Sequence, residues 1–369
     1  MSLEHDLAGV VRLLDDVEDG HRLSRNEAAG LLAATTGPAV HAIAAAADRA
    51  RAARTGEAIT FVRNQNLNVT NLCVNRCGFC GFSRRKGDPD AFRLSLDDVR
   101  EAAELARSRG VTEICTVSGL APDFTGETYA AILEACRAGA PGVHLHAGNP
   151  QEIAYGAARS GWTTAEQLER LREAGLGSLC GTAAEILVDP VRRRICPGKV
   201  PTAEWVRIIR EAHGMGVRST ATILYGVGES VDDRVEHLSV LREIQDETGG
   251  FTEFVPLSFI HQNTPLYRAG KAPAGATGRE DLLLTAVARL FLDNFEHVQA
   301  SWVKVGTKLS SLLLLAGADD LGGTLYEEHI TSAAGGTGGS YLDPAEMERI
   351  AADLGRPLVE RTTLYGRVG

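Results

Sequence analysis

Aromatic residues are scarce in this chain, at 5%, while glycine is plentiful at 40 residues. That balance suits a backbone-rich site with many tight turns better than an aromatic-rich interaction surface. An excess of basic charge is also missing. Lys and Arg number 38 against 48 Asp and Glu, a net charge of −10, so general binding to nucleic acid or to an anionic membrane is not expected. No apolar run reaches membrane-spanning length; residues 309–318, LSSLLLLAGA, are too short. The start, MSLEHDLAGVVRLLDD, has acids where a secretory leader has basic residues and a long apolar stretch. These absences predict a cytoplasmic protein. No GxGxxG follows an early strand, which argues against a dinucleotide-binding open sheet.

What is present is enough for a sizeable core: 369 residues, 44% of them hydrophobic. That suits one large barrel with small additions, or two ordinary domains. Residues 1–57 read as a helical N-terminal extension. Ser24-Arg-Asn-Glu27 is a capping-box pattern, and Gly56 stops the Ala-rich stretch before it. From residue 59 short apolar runs alternate with helical stretches that open with Ser or Thr and end in Gly. Strands are expected in 59–69, 112–117, 142–147, 175–180, 218–226, 251–257 and 297–303. The pattern predicts an α/β fold, a TIM-like (β/α) barrel of six to eight units over residues 58–330. Residues 331–369 then form a Gly-rich loop (SAAGGTGGS) and a C-terminal helix and strand extension.

Seven cysteines occur, an odd number, and three of them cluster as Cys73-x3-Cys77-x2-Cys80. Without a leader, such a cluster ligates metal more often than it forms disulfides. The other four, at 115, 136, 180 and 196, read as small buried residues. The cluster falls just after the first strand, at the end of a barrel where active sites are built. A 4Fe–4S cluster usually takes four thiolates. Three would leave one iron open to a small molecule. A zinc site completed by a ligand from far along the chain is the alternative.

Cys-x3-Cys-x2-Cys with Phe79 before the last Cys resembles the radical S-adenosylmethionine (SAM) signature. The resemblance implies a radical SAM barrel, a 4Fe–4S cluster on Cys73, Cys77 and Cys80, and SAM bound at the open iron. SAM would be cleaved to methionine and a 5′-deoxyadenosyl radical with an electron from a donor such as ferredoxin or flavodoxin. It places Ser118-Gly119-Leu120 near the methionine amino group, Glu185 at the amino group or ribose, and Gly226-Val-Gly-Glu229 near the adenine. Residues 85–88 (RKGD), 181–187 (GTAAEIL), 246–256, 261–267 (HQNTPLY) and 299–306 resemble one subgroup. It contains the 4-hydroxyphenyl transferases of deazaflavin (FO, coenzyme F-420) biosynthesis, aminofutalosine synthase and dehypoxanthine futalosine cyclase. QASWVKVG with DDLGGTLYEE looks most like the transferases. Those join the 4-hydroxybenzyl group of L-tyrosine to 5-amino-6-(D-ribitylamino)uracil and release 2-iminoacetate; a second FO synthase subunit is an implied partner. The chain reads Ser118-Gly-Leu where transferases tend to have Gln-Gly-Gly, and 146–152 reads HAGNPQE in place of HAFSPxE.

The remaining candidates are polar residues at expected strand ends. His144 and His146 alternate on one strand face, and His146 is the better placed for substrate. His261, Gln262 and Lys304 join it as catalytic candidates, either gripping substrate or serving as a core histidine, a loop and a surface lysine. Glu152, Asn263 and Asp320 are candidates for substrate hydroxyls, or for local structure and helix caps. Arg84, Arg85 and Lys86 follow the cluster loop and read as a solvated basic run.

Overall fold

The computed structural model describes residues 6–368; the opening stretch on which the leader expectation rests lies partly outside them. Three N-terminal helices come first: α1 (Leu7–Glu18), α2 (Arg25–Leu32) and α3 (Gly37–Thr55). Ser24 and Glu27 form the expected capping box. Helices α2 and α3 pack on the outer barrel helices Val231–Thr248 and Gly278–Phe291, burying Leu31, Ile43 and Ala47 with Leu241 and Phe291.

The strands are β1 (Ile59–Val62), β2 (Asn64–Asn66), β3 (Glu113–Thr116), β4 (His144–Ala147), β5 (Ser219–Tyr225), β6 (Phe251–Ser258), β7 (His297–Val298), β8 (Asp320–Gly323) and β9 (Leu358–Arg361). All pairings between them are parallel, in the orders β8-β1-β9, β2-β3-β4 and β5-β6-β7. Bridges His146↔Ser178, Leu179↔Ser219 and Gln299↔Asp320 join these sheets into a closed barrel. The first stave is β1 running into β2, and Ser178–Leu179 forms a minimal fourth. Ser95, Thr125, Thr163, Ser230 and Thr277 each cap a following helix through a capping box, which satisfies amides that the first turn leaves without partners.

Two expected strands are shorter than the apolar pattern implied. Residues 175–180 contribute only bridges, and 297–303 gives the two-residue β7 before a helix starts at Trp302. The Gly-rich β8 was not anticipated as a strand. Its Gly322 adopts φ 77°, which a side chain would resist.

β9 returns to lie beside β1 and closes the barrel floor. Its Arg361 points inward, 2.5 Å from Asp320 and 3.4 Å from Glu253, with its guanidinium 3.9 Å from the Tyr365 ring centroid. Thr60 donates to the same Asp320 carboxylate at 2.6 Å. Asp320 therefore holds the floor together. Its placement as a substrate residue is corrected: the carboxylate already has Arg361, Thr60 and the Gly322 amide. No helix among the described residues is long and apolar enough to cross a membrane.

Candidate active site

The cluster loop is pinned at the top of the first stave by backbone bonds. The amides of Cys73, Val74 and Gly78 donate to the carbonyls of Arg84, Leu120 and Ile195 at 3.1, 2.9 and 2.7 Å. Arg84 is half-buried, unlike the exposed Arg85 and Lys86. Its Nη1 donates to the carbonyls of Gly81, Phe82 and Ser83 at 2.9, 3.1 and 3.0 Å, gathering the end of the loop. Gly119 packs against the start of the loop. A Cβ there would lie 2.3 Å from the Leu72 carbonyl oxygen, so only glycine permits the approach.

A cavity of ≈ 250 Å³ opens beside this loop. Cys73, Cys77, Phe79, Cys80, Ser118, Gly119, Glu152, Glu185 and Lys304 line it, joined by Lys199. Burial raises the pKa of the Cys73 and Cys77 thiols, and the Lys199 ammonium opposes this. Lys199 lies 2.5 Å from Glu185 Oε1 and 5.4 Å from the Phe79 ring centroid. Burial works against its charge, but Glu185, together with the neighbouring Cys77 and Cys196, outweighs it and raises its pKa. Glu185 sits in a strained turn, at φ 41°, with Ala183 at φ 65°. The buried Arg192 holds that turn by donating to the carbonyls of Ala183 and Ala184. Strain of this kind persists where the surroundings fix it, and it clusters at functional sites.

Glu152 accepts the Ser118 amide at 3.1 Å. Burial pushes its pKa up to about 8, with the Ser118 amide and Lys199 opposing. Lys304 donates to Thr331 Oγ1 at 2.7 Å, and burial lowers its pKa.

Several sequence candidates lie outside the cavity lining. His146 sits within the barrel, its Nδ1 2.8 Å from Ser178 Oγ, and burial lowers its pKa. His144 Nε2 reaches the same hydroxyl at 2.8 Å, so the two histidines do share a face. His261 packs edge-on to Tyr267, while Gln262 and Asn263 are exposed. Asn263 holds the Gly-rich loop through the Ala333 and Ala334 carbonyls. The chamber wall beside this turn is made instead by Ser258, Phe259 and Ile260. Glu229 turns back on its own loop, accepting from the Gly226 and Val227 amides and from Arg234, so it and Gly226 shape a turn. Asp320 belongs to the floor. Lys199 and Arg192 were missed, because a single basic residue in a loop or short helix carries no spacing signal; the Cys-Pro-Gly turn just before Lys199 is the only local hint.

The residues fit a cluster with SAM. Three soft thiol donors face one chamber, and Cys196, also buried, is not part of its lining. Glu152 Oε2 and Glu185 Oε2 are buried without a hydrogen-bond partner. Buried carboxyl oxygens need partners, and SAM offers both kinds: its amino group and ribose hydroxyls donate, and its carboxylate and ribose oxygens accept.

A closed parallel barrel with three loop thiols and this carboxylate-lined chamber defines the radical SAM class, and residues 67–241 match the radical SAM superfamily. Residues 248–346 match the CofH/MqnC C-terminal region. The 5-amino-6-(D-ribitylamino)uracil–L-tyrosine 4-hydroxyphenyl transferase of Methanoculleus marisnigri is 65% identical over 353 residues, covering 96% of each chain. The FO synthase of Mycobacterium tuberculosis is 48% identical over 335 residues, 90% of this chain but 39% of that one. Among solved structures, methylornithine synthase superposes with a TM-score of 0.74 at 18% identity, covering 94% of this chain and 97% of that one; this likeness concerns the fold. The chain belongs to the radical SAM superfamily and, within it, to the family of these 4-hydroxyphenyl transferases. It is an enzyme that uses a 4Fe–4S cluster and SAM.

Proposed function

We propose that the enzyme joins the 4-hydroxybenzyl group of L-tyrosine to 5-amino-6-(D-ribitylamino)uracil, the step that builds the deazaflavin skeleton, and releases 2-iminoacetate. The observation that carries this reading is the 65% identity to a transferase of that name over nearly the whole of both chains. Cys73, Cys77 and Cys80 would hold the cluster, and Glu185 with the 118–119 backbone would hold SAM. When bound, the pair supplies one-electron cleavage that ends in hydrogen abstraction from substrate. Everything else falls to the chain. Lys199 pairs with Glu185 Oε1 at 2.5 Å and holds it against the chamber. Glu152, proton-bearing at neutral pH, offers one donor without adding a second negative charge beside SAM. Lys304 faces the same chamber and suits the tyrosine carboxylate. Phe79, Leu257 and Phe259 form apolar wall that excludes water from a reactive intermediate.

The Mycobacterium chain is about two and a half times as long as the segment matched here. This supports a separate partner enzyme that completes the deazaflavin ring. Ferredoxin or flavodoxin is the proposed electron donor. The test is anaerobic incubation of cluster-loaded protein with SAM, reductant, tyrosine and the ribitylaminouracil, with products read by mass spectrometry. Tyrosine-derived 2-iminoacetate, or the glyoxylate it hydrolyses to, should accompany the coupled product and vanish in Cys73→Ala. Consumption of a carboxyvinyloxybenzoate without any tyrosine product would replace this reading with aminofutalosine synthesis.

A further inference from the structure

A second set of metal-binding side chains converges inside the barrel, apart from the cluster loop. Cys115 on β3, His146 on β4 and Cys180 just beyond Ser178–Leu179 bring their ligand atoms within 4.8 Å of one another. The two sulfurs are 4.0 Å apart. Topology explains the meeting. Cys115 and His146 are register partners, and His146 pairs with Ser178 across the next gap, with Cys180 two residues further on the same face.

The two cysteines flank β4. Neighbouring strands lie about 4.8 Å apart, so their backbones are separated by roughly twice that distance. A disulfide wants Cα atoms within about 7 Å. The sulfurs meet only because both side chains reach inward from either side of His146, which is the shape of a clasp. Zn–S bonds of about 2.3 Å at tetrahedral angles place two sulfurs about 3.8 Å apart, close to the spacing present. The His146 ring is already oriented by Ser178 at 2.8 Å, the outer-shell support that ligating histidines commonly have.

We propose that Cys115, His146 and Cys180 form a second metal site, for Zn²⁺ or another thiophilic divalent cation. Binding releases the two thiol protons to solvent, and two thiolates then neutralise the ion's charge. Three protein ligands leave a fourth position open, as in zinc sites that take water or a substrate group. Cys115 is only half-buried, so the site is accessible on its side.

The test uses cluster-loaded protein, exposed anaerobically to Zn²⁺ and desalted. Iron and zinc are counted by mass spectrometry, and the zinc environment is read by X-ray absorption at the zinc edge. One zinc per chain is expected beside the cluster iron, with two sulfurs at about 2.3 Å and an imidazole nitrogen at about 2.0 Å. Cys115→Ala and Cys180→Ala should keep wild-type iron and lose at least about 100-fold in zinc affinity. Should either lose iron, Cys115→Ser and Cys180→Ser carry the same test with iron content as the check on folding. Absence of bound zinc in the wild type, zinc kept by both variants, an oxygen–nitrogen shell, or zinc lost only in Cys73→Ala would each overturn the site.

Discussion

Replacing Glu152 by Gln should make the protein more stable in alkali and leave it nearly unchanged in acid. Glu152 is buried, one oxygen accepts the Ser118 amide at 3.1 Å, and the other has no partner. Burial raises its pKa from 4.5 to about 8. The folded protein therefore keeps a proton that the unfolded chain releases on passing 4.5. Because the folded value is the higher one, stability falls as pH rises between these two values. At about 1.4 kcal/mol per pH unit the whole window is worth roughly 5 kcal/mol, and the interval from pH 5 to 8.5 about 3–4 kcal/mol. Glutamine preserves the acceptor toward Ser118 and cannot ionise. Urea unfolding of SAM-free protein, followed by the fluorescence of the buried Trp205 and Trp302, should show the two proteins within about 1 kcal/mol at pH 5. At pH 8.5 Glu152→Gln should be ahead by about 3 kcal/mol. A difference that stays constant across this range would mean that Glu152 is ionised in the folded state, and the reasoning would fail.

Gly119→Ala drives a methyl to 2.3 Å from the Leu72 carbonyl oxygen, so iron content after reconstitution should drop and stability fall by about 1–3 kcal/mol; full iron loading would contradict the close approach. Glu185→Gln removes the charge facing Lys199, and calorimetry on cluster-loaded protein should find SAM bound at least about tenfold more weakly, a loss of 1.4 kcal/mol or more. Equal affinity with iron retained would remove Glu185 from the SAM site. Arg361→Met leaves Asp320 and Glu253 buried without their cation and should cost about 3–5 kcal/mol in urea unfolding, part of it restored by adding Asp320→Asn. A cost below about 1 kcal/mol would show that the floor charges are solvated.

The parts legible in sequence were those set by short-range spacing. The three cluster cysteines occupy one loop, and helix starts such as Ser95 and Thr163 are written within four residues. The turn at Glu185 was visible because several residues around it formed one recognisable motif. Residues whose role depends on distant partners were not legible. Asp320 looked like a candidate for substrate hydroxyls until Arg361, 41 positions away, was found against it. Gln262 and Asn263 follow a strand end, yet the chain turns outward there to hold the 333–334 backbone. The apolar run at 297–303 fits a strand or a helix by periodicity alone, and tertiary packing divides it between the two. β8 was hidden because its DLGG composition opposes strand propensity, while floor hydrogen bonds supply what propensity lacks.

The pairing of β1 with β9 also sets a timetable for synthesis. Ile59 and its partner Leu358 are 299 positions apart, and translation at about 5–20 residues per second separates their emergence by roughly 15–60 s. Through that interval the first strand waits with an open flank, and Asp320 and Glu253 have no arginine between them. The cysteines that would carry iron leave the ribosome early, but Lys304, Ile330 and Ala334, which wall their chamber, come late. A nascent chain thus displays its thiols well before it can shelter a cluster, so metal loading belongs after the last strand has docked.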